Sequence, residues 1–224
     1  MRNWLIGFVK VVGTLSLAAG LALGLAGCES DETNAISKAQ RCLDDARTAA
    51  AAKACRGLVD GKTSQQAMIV RCAIEVVSGG LITSRVSQAF QELENSTNDK
   101  EATMMGIMAN DDGPTAAETA AAYCNASGIS GLQYLANLSV VGTYMVAAVG
   151  SWNGDGQALI NQCAPPTNGC NDAAIGTAII SIGQSYCGGQ DADEEMCNEI
   201  NQAIATGGGD PATVAQQLYP LLNN

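Results

Sequence analysis

The sequence contains no histidine, and this absence narrows the chemistry open to the chain. Histidine is the commonest general base, the commonest metal ligand and the usual partner of a serine or cysteine nucleophile. Aromatic residues make up only 4% of the chain, which disfavours a surface that stacks sugars or bases. We therefore expect a protein that is not an enzyme, with no catalytic residues, no metal and no cofactor.

Basic residues are scarce as well, with 11 Lys and Arg against 22 Asp and Glu. None of them follows Lys100, so the acids of residues 101–224 cannot form ion pairs within that half of the chain. Because binding to a phosphate backbone requires clusters of Lys and Arg, we expect no nucleic-acid partner.

Formal charge is missing altogether from residues 119–154. Such a stretch is buried, packed against a partner or in contact with lipid. Within it, residues 129–150 are apolar on nearly every face, with Gln133, Asn137 and Thr143 as interruptions. We expect a central core helix there, and a transmembrane helix is the alternative.

The N-terminus carries Arg2 and Lys10, followed by residues 11–26 without a charge. A charged segment followed by an apolar run is typical of a secretory signal peptide, which is removed from the mature protein. The apolar run is too short and too rich in glycine for a stable membrane-spanning helix, which needs about 20 apolar residues.

The residues Leu25-Ala26-Gly27-Cys28 that follow resemble the lipobox of bacterial lipoproteins. In that family the cysteine sulfur receives a diacylglycerol, and a peptidase then cuts on the N-terminal side of the cysteine. The resemblance implies that residues 1–27 are a signal peptide and that Cys28 is the lipidation site. Glu29 comes next, and the family's sorting rules then imply the outer membrane, facing the periplasm or the cell surface. An ordinary secretory signal with an accidental cysteine is the alternative.

Nine cysteines are an odd number for an oxidising compartment, and acylation of Cys28 leaves an even set suited to four disulfides. A zinc site is the alternative use of these residues, but the chain offers it neither histidine nor a C-x-x-C pair. The disulfide candidates are Cys42, Cys55, Cys72, Cys124, Cys163, Cys170, Cys187 and Cys197.

Spacing favours particular pairings, although it leaves the connectivity open. Cys42 and Cys55 lie symmetrically about residues 48–49, so a helix hairpin that turns there brings them together. A helix predicted between Cys170 and Cys187 holds these two apart. The favoured pairs are Cys42 with Cys55, Cys163 with Cys170, Cys187 with Cys197 and, by elimination, Cys72 with Cys124.

Alanine-rich apolar positions recur at helical spacing with little alternation of period two, so we predict an all-α fold. The expected architecture is a multi-helix antiparallel bundle or an irregular helical-repeat array stapled by disulfides. The predicted helices cover about 33–46, 49–59, 63–79, 81–94, 129–150, 172–186, 193–205 and 211–222, with a further helix that opens at Pro114.

Two helix starts have the pattern of a capping box, in which a hydroxyl and a carboxylate or amide satisfy free backbone donors reciprocally. The first is TSQQ, with Thr63 as the cap and Gln66 three residues later. The second is TAAE, with Thr115 and Glu118, directly after Pro114.

The expected organisation is a signal peptide at 1–27, a short tether at 28–34 and one helical domain at 35–224. The polar run ENSTNDKE is the best candidate for an internal boundary, near 95–100. Residues 36–77 and the later stretch AETAAAYCNASGISGLQYL resemble the tetratricopeptide-like helical lipoproteins of Gram-negative bacteria, which implies a helical array. No 34-residue period can be laid over the chain, however.

Acidic residues form the candidate site for a partner. A surface that cannot neutralise its own negative charge attracts a basic protein at low ionic strength. Two other readings are a calcium site and acids that interact with the dipole of a helix N-terminus, with Asp191 as an N-cap. The partner-binding candidates are Asp111, Asp112, Asp191, Asp193, Glu194 and Glu195.

The favoured function is a lipid-anchored periplasmic or cell-surface protein that acts as a non-enzymatic protein-binding or scaffold module. The alternative is a carrier of a lipid or another apolar small molecule, with residues 129–149 lining a pocket, because helix bundles can hold such sites between their helices.

Overall fold

The structure is a computed structural model that describes residues 31–82, 85, 87, 91, 100–152, 154–189, 192 and 194–222. Within these ranges the chain forms ten α-helices and no strand, which confirms the all-α fold stapled by disulfides. Residues 1–30, with Cys28, lie outside the described part, as do most of the helix predicted at 81–94 and the proposed boundary near 95–100.

A 3₁₀ turn at Arg56–Val59 comes after the second helix. The helices are α1 Asp31–Asp45, α2 Ala49–Ala54, α3 Gln65–Ser78, α4 Lys100–Ile107, α5 Pro114–Ser127, α6 Ser130–Val149, α7 Gly156–Cys163, α8 Asp172–Ser185, α9 Glu194–Thr206 and α10 Pro211–Leu221.

A small hydrophobic core holds α1 and the 3₁₀ turn against one face of α3. Ile36 and Ala39 of α1 pack there with Val59 of the turn and with Val70 and Ile74 of α3. These positions in α1 and α3 recur at the spacing of three and four residues that places side chains on one helical face. The first segment therefore buries one apolar stripe within itself.

The main core is built around α6, which contacts α4, α5, α7 and α8. Tyr134, Val141 and Met145 are among its buried side chains. By length and composition α6 could cross a membrane, but half of its apolar stretch is buried inside the protein. We therefore describe α6 as a core helix, because neighbouring helices cover its uncharged sequence on several sides.

Four disulfides join the same pairs that the spacing favours. Cys42–Cys55 ties the end of α1 to the 3₁₀ turn, and Cys72–Cys124 ties α3 to α5 across 52 residues of chain. The other two bridges, Cys163–Cys170 and Cys187–Cys197, flank α8. Because all eight cysteines are paired, none of them is a thiolate ligand for zinc.

Both predicted capping boxes are wrong. The cap of α3 is Ser64, whose hydroxyl accepts a hydrogen bond from the Ala67 amide, so the helix begins one residue later than expected. The cap of α5 is Gly113, because Pro114 occupies the first helical position and has no N–H of its own to satisfy. The helix predicted at 49–59 ends earlier, at Ala54, where the 3₁₀ turn tightens the chain.

Candidate functional site

The structure brings two of the six candidate acids to one defined place, the turn between α4 and α5. Asp111 and Asp112 both lie in this turn, and Glu194 is the exposed first residue of α9. Asp191 and Asp193 lie outside the described residues, and the side chain of Glu195 does too. The two acids of the turn are therefore the ones whose surroundings are defined.

The turn is fastened to two other helices by hydrogen bonds. The Asn110 amide donates to Thr143 Oγ1 of α6 at 2.8 Å, and the Asp111 amide donates to the Gly79 carbonyl at the end of α3, also at 2.8 Å. The side chain of buried Asn110 accepts from the Asp112 amide at 2.9 Å. These bonds hold the turn at the C-terminal end of α3.

Glycine is needed where α3 ends. A Cβ placed on Gly79 would lie 2.2 Å from the Asn110 side-chain nitrogen, and a Cβ on Gly80 would lie 2.1 Å from Asp111 Oδ2. Gly80 also has φ of +101°, a conformation that side-chain-bearing residues rarely adopt. The two glycines therefore end the helix and admit the acidic turn at the same time.

Each acid of the turn is paired with a base from the first half of the chain. Asp111 Oδ1 lies 2.8 Å from Arg85 Nη1, and both carboxylate oxygens of Asp112 lie 2.6 Å from Lys53 Nζ. The Asp111 side chain is 59% exposed and that of Asp112 is 33% exposed. Such surface pairs contribute up to about 1 kcal/mol each and remain accessible to a competing charge.

A third base, Arg56, lies beside the last turns of α3. Its Nη2 donates to Glu75 Oε2 and, at 3.0 Å, to Ser78 Oγ. The last turn of α3 contains no basic residue of its own, so Arg56 supplies the positive charge that the helix dipole favours at this end. Bases and acids from distant parts of the sequence thus meet here.

An open groove of about 390 Å³ adjoins this place and lies between the end of α1 and the end of α3. Its lining combines apolar side chains with one acid and one base, and the segment from Val77 to Leu81 connects it to the acidic turn. We call the groove lining together with the two acids the α3-end surface. It consists of Leu43, Asp44, Ala46, Arg47, Val77, Leu81, Ile82, Asp111 and Asp112.

Two other acids of the second half accept hydrogen bonds from tyrosines. Tyr144 donates to Glu118 Oε1 at 2.6 Å, and this bond to the carboxylate, with partial burial, raises the pKa of Tyr144 to about 12. Tyr219 donates to Asp172 Oδ1 at 2.7 Å. Burial, and after it the bond to Asp172, raises the pKa of Tyr219. These pairs support the packing of α5 on α6 and of α8 on α10.

Two further acids of that half are helix caps. Asp155 accepts from the Ala158 amide at 3.2 Å at the start of α7. Asp210 accepts from the Thr213 amide at 2.9 Å at the start of α10, and its bonds with Thr213 hold its pKa below the usual range. Several acids that the sequence left without a base therefore have structural roles.

Sequence reasoning missed the tyrosine–carboxylate pairs and the ion pairs of the acidic turn. Glu118 and Tyr144 are 26 residues apart, and Lys53 and Asp112 are 59 apart. No local pattern connects residues at such distances. Among the residues that the structure describes, no group of three or more His, Cys, Asp or Glu side chains is arranged to hold a metal ion.

Comparison with protein-family models, with curated proteins and with solved structures finds no match to this chain. The class of protein is therefore defined by its own fold, an all-α domain with four disulfides. The feature of that domain on which a function can be argued is the α3-end surface.

Proposed function

We propose that this protein is a lipid-anchored, non-enzymatic module of the bacterial outer membrane that binds a protein partner at its α3-end surface. The observation that carries the proposal is the meeting of an open, partly apolar groove with the exposed ion pairs of Asp111 and Asp112. Protein interfaces combine an apolar centre with a polar and charged rim, and this surface has both parts.

The groove provides the apolar centre. Leu43, Val77, Leu81 and Ile82 line it, and the side chains are held by helices α1 and α3 and by the residues that follow α3. Burying apolar area of this kind contributes about 25 cal/mol per Å². A partner that inserts a side chain here gains binding energy without first rearranging the helices.

The acidic turn provides the rim. Asp111 is more than half exposed although it is paired with Arg85, so a Lys or Arg of a partner reaches its carboxylate from the solvent side. Because an exposed pair is weak, a partner's cation competes with Arg85 at little cost. The sequence alone predicts acids without a base, whereas Asp111 is already paired with Arg85 in the structure. A cation of the partner therefore replaces Arg85 beside this carboxylate.

The position of the surface relative to the proposed anchor also fits partner binding. Cys28 lies three residues before α1, and the groove lies at the other end of that helix. A 15-residue helix is about 22 Å long. The α3-end surface therefore lies about one length of α1 from the helix start that follows the proposed anchor, which leaves the surface open to a partner.

Photo-crosslinking in cells tests the proposal. A benzophenone amino acid is placed at Ile82 in the groove and, as a control, at exposed Thr177 on α8. We expect a discrete crosslinked partner from position 82 and none from position 177. The double variant Asp111→Asn/Asp112→Asn should lower the crosslink yield, most strongly at low salt, where charge attraction is least screened.

Equal crosslinking from both positions, or a yield that neither the double variant nor salt alters, would contradict this assignment. Thr177→Asn serves as the matched surface substitution, because it introduces the same residue far from the groove. Its crosslink yield from position 82 should equal that of the unsubstituted protein.

Transport of a lipid or another apolar molecule is the second candidate, and the groove is the observation that favours it. Its volume of about 390 Å³ lies within the range of small-molecule sites. The site would be the groove and not residues 129–149, because α6 packs against four other helices. Native mass spectrometry of residues 29–224, without signal or lipid, decides: a copurified lipid that Val77→Asp abolishes and Thr177→Asp retains would favour the carrier.

A further inference from the structure

The end of the molecule where α1 begins also contains the turn between α5 and α6. Glu32 Oε1 accepts a hydrogen bond from the Ser64 amide at 3.2 Å, and Gln65 Nε2 donates to the Ser127 carbonyl at 2.9 Å. Ser127 Oγ in turn accepts from the Ile129 amide at 3.2 Å. Hydrogen bonds of ordinary length thus connect the start of α1 to the start of α3 and to this turn.

The turn exposes one large apolar side chain. Among the described residues, Ile129 and Leu58 are the large hydrophobic side chains that remain exposed, at 39% and 37%. Ile129 is the residue that precedes α6, next to Gly128 with its left-handed conformation. A single exposed apolar residue is ordinary on a protein surface, so its position and not its exposure alone is what matters.

The length of the chain after the proposed anchor limits how far Ile129 lies from the membrane. Cys28 and Asp31 are three residues apart, and three residues span at most about 11 Å even when fully extended. A lipid on Cys28 therefore keeps the start of α1 within about 11 Å of the bilayer surface, whatever the conformation of the residues between. The neighbours of that helix start, including the α5–α6 turn, are held beside the membrane.

The charge of the turn also suits a lipid surface. Residues 119–154, which contain the turn, have no formal charge, so contact with the bilayer buries no ionised side chain. The turn can therefore approach the membrane without a charge penalty of its own.

We propose that the α5–α6 turn, residues 127–129, rests on the phospholipid surface next to the anchor, with Ile129 in the headgroup region. This inference rests on the proposed lipidation of Cys28. It orients the whole domain: the helix starts of α1 and α3 face the bilayer, and the α3-end surface faces away from it. The α5–α6 turn thus contacts the membrane, and the partner protein binds at the α3-end surface on the opposite end of the domain.

Fluorescence quenching by lipids tests the orientation. Ile129→Trp and, as the matched control, Leu58→Trp are made in the full chain, purified with their lipid and reconstituted into phosphatidylcholine vesicles with spin-labelled acyl chains. Leu58 has nearly the same exposure but belongs to the 3₁₀ turn, where Val59 and Arg56 contact Arg71 and Glu75. The control thus lies beside residues that are about 9–15 Å along α3 from its start.

We expect the Ile129→Trp protein to lose emission in spin-labelled vesicles relative to unlabelled ones, and its spectrum to shift to the blue. The Leu58→Trp protein should show neither change beyond the unsubstituted protein, whose Trp152 gives the common background. Flotation of the same vesicles, with residues 29–224 lacking both signal and lipid as the unanchored control, measures attachment separately. Near-ultraviolet circular dichroism confirms that both variants retain the fold.

Each outcome has one meaning. If the protein floats with the vesicles and Ile129→Trp is quenched more than Leu58→Trp, the orientation stands. If it floats and the two variants are quenched equally, or Leu58→Trp more, the orientation is wrong while the anchor stands. If the unsubstituted protein floats no better than unlipidated residues 29–224, both the anchor and the orientation are wrong.

Discussion

Single glycines determine how closely the helices of the main core approach. A Cβ placed on Gly142 of α6 would lie 1.8 Å from the Met105 carbonyl oxygen of α4, and one on Gly176 of α8 would lie 1.7 Å from the Pro211 carbonyl oxygen of α10. No real Cβ contact is that short, so backbone must move if either glycine is replaced. At these two points one helix packs directly on the backbone of another.

Gly142→Ala should therefore destabilise the protein. Forcing a methyl group into a closed contact typically costs about 1–3 kcal/mol, since backbone must shift. Gly57→Ala is the control, because a Cβ there meets nothing within 4 Å. Urea unfolding should show a lower midpoint for Gly142→Ala and an unchanged or higher midpoint for Gly57→Ala. Equal midpoints would contradict the close approach of α4 and α6.

The tyrosine–carboxylate pair of α5 and α6 makes stability depend on alkaline pH. Folding raises the pKa of Tyr144 from 10.0 to about 12, because the hydroxyl donates to Glu118. The stabilisation is thus fully present below pH 10 and is lost as the pH rises through about 12. The advantage of the unsubstituted protein over Tyr144→Phe should narrow across this window, as measured by chemical unfolding at a series of pH values.

A constant difference between the two proteins from neutral pH to pH 12 would mean that Tyr144 does not keep its proton through Glu118. Glu118→Gln distinguishes the cause, because an amide still accepts the hydrogen bond but has no charge to oppose ionisation. Its alkaline loss of stability should be smaller than that of the unsubstituted protein.

At the scale of elements, the start of α3 shows how a helix end is chosen by its surroundings. Thr63 and Ser64 both have the hydroxyl that caps a helix, and the sequence pattern favours Thr63 because Gln66 follows three residues later. In the structure Ser64 is the cap, and its own amide donates to Glu32 of α1. A carboxylate from another helix thus takes the part that Gln66 has in the predicted box.

Ser64→Ala should cost about 0.5–2 kcal/mol of the free energy of unfolding, the usual effect of removing a cap. Thr63→Ala is the matched control and should cost little, since it changes the same kind of side chain one residue away. Thermal unfolding of both variants checks the difference. A larger loss for Thr63→Ala would show that the helix begins where the capping box predicts.

The Cys72–Cys124 disulfide acts at the same scale, because it connects two helices that pack together. Cys72–Cys124 joins α3 to α5, which run in opposite directions, with Gln65 at the start of one near Ser127 at the end of the other. A bridge that closes a long loop reduces the entropy of the unfolded chain. The free energy of unfolding typically rises by about 2–4 kcal/mol as a result. It also holds α3, which carries the small core, against the main core.

At the scale of the whole molecule, two ion pairs connect bases of the first half of the chain with acids of the second half. Lys53 and Arg85 of the first half reach Asp112 and Asp111 of the second. The expected acidic face is thus partly neutralised where the two halves meet at the end of α3. What remains is a surface of mixed sign next to an apolar groove.

The proposed anchor is also a property of the whole molecule, because it decides where the domain is held. Cys28→Ser should leave an unprocessed, non-acylated precursor, since no thiol remains to receive the diacylglycerol. Intact mass spectrometry and membrane fractionation measure this. The variant should be heavier in polypeptide by residues 1–27 and should lack the lipid mass. An unchanged mature mass and unchanged membrane partitioning would refute lipidation at Cys28.

Much of the candidate site was out of reach of sequence reasoning. Asp111 and Asp112 could be chosen as candidates because charge composition is visible in the sequence. Their partners could not, because Lys53 is 59 residues from Asp112 and meets it only through the packing of α3 with its neighbours. The groove was missed for the same reason: Leu43 and Val77 are apolar residues like many others until two helix ends lie side by side.

Local patterns in the chain were enough for the helical class, for the approximate ranges of most helices and for the core position of α6, but they did not predict α4 or α7. Helical periodicity, uncharged stretches and breaks at Gly and Pro all act within a few residues, so they can be read before folding is known. The exact caps, the backbone contact at Gly142, the tyrosine–carboxylate bonds and the α3-end surface depend on which helices meet. Those contacts arise from burying apolar faces together and join residues far apart in sequence, so they exist only in the assembled fold.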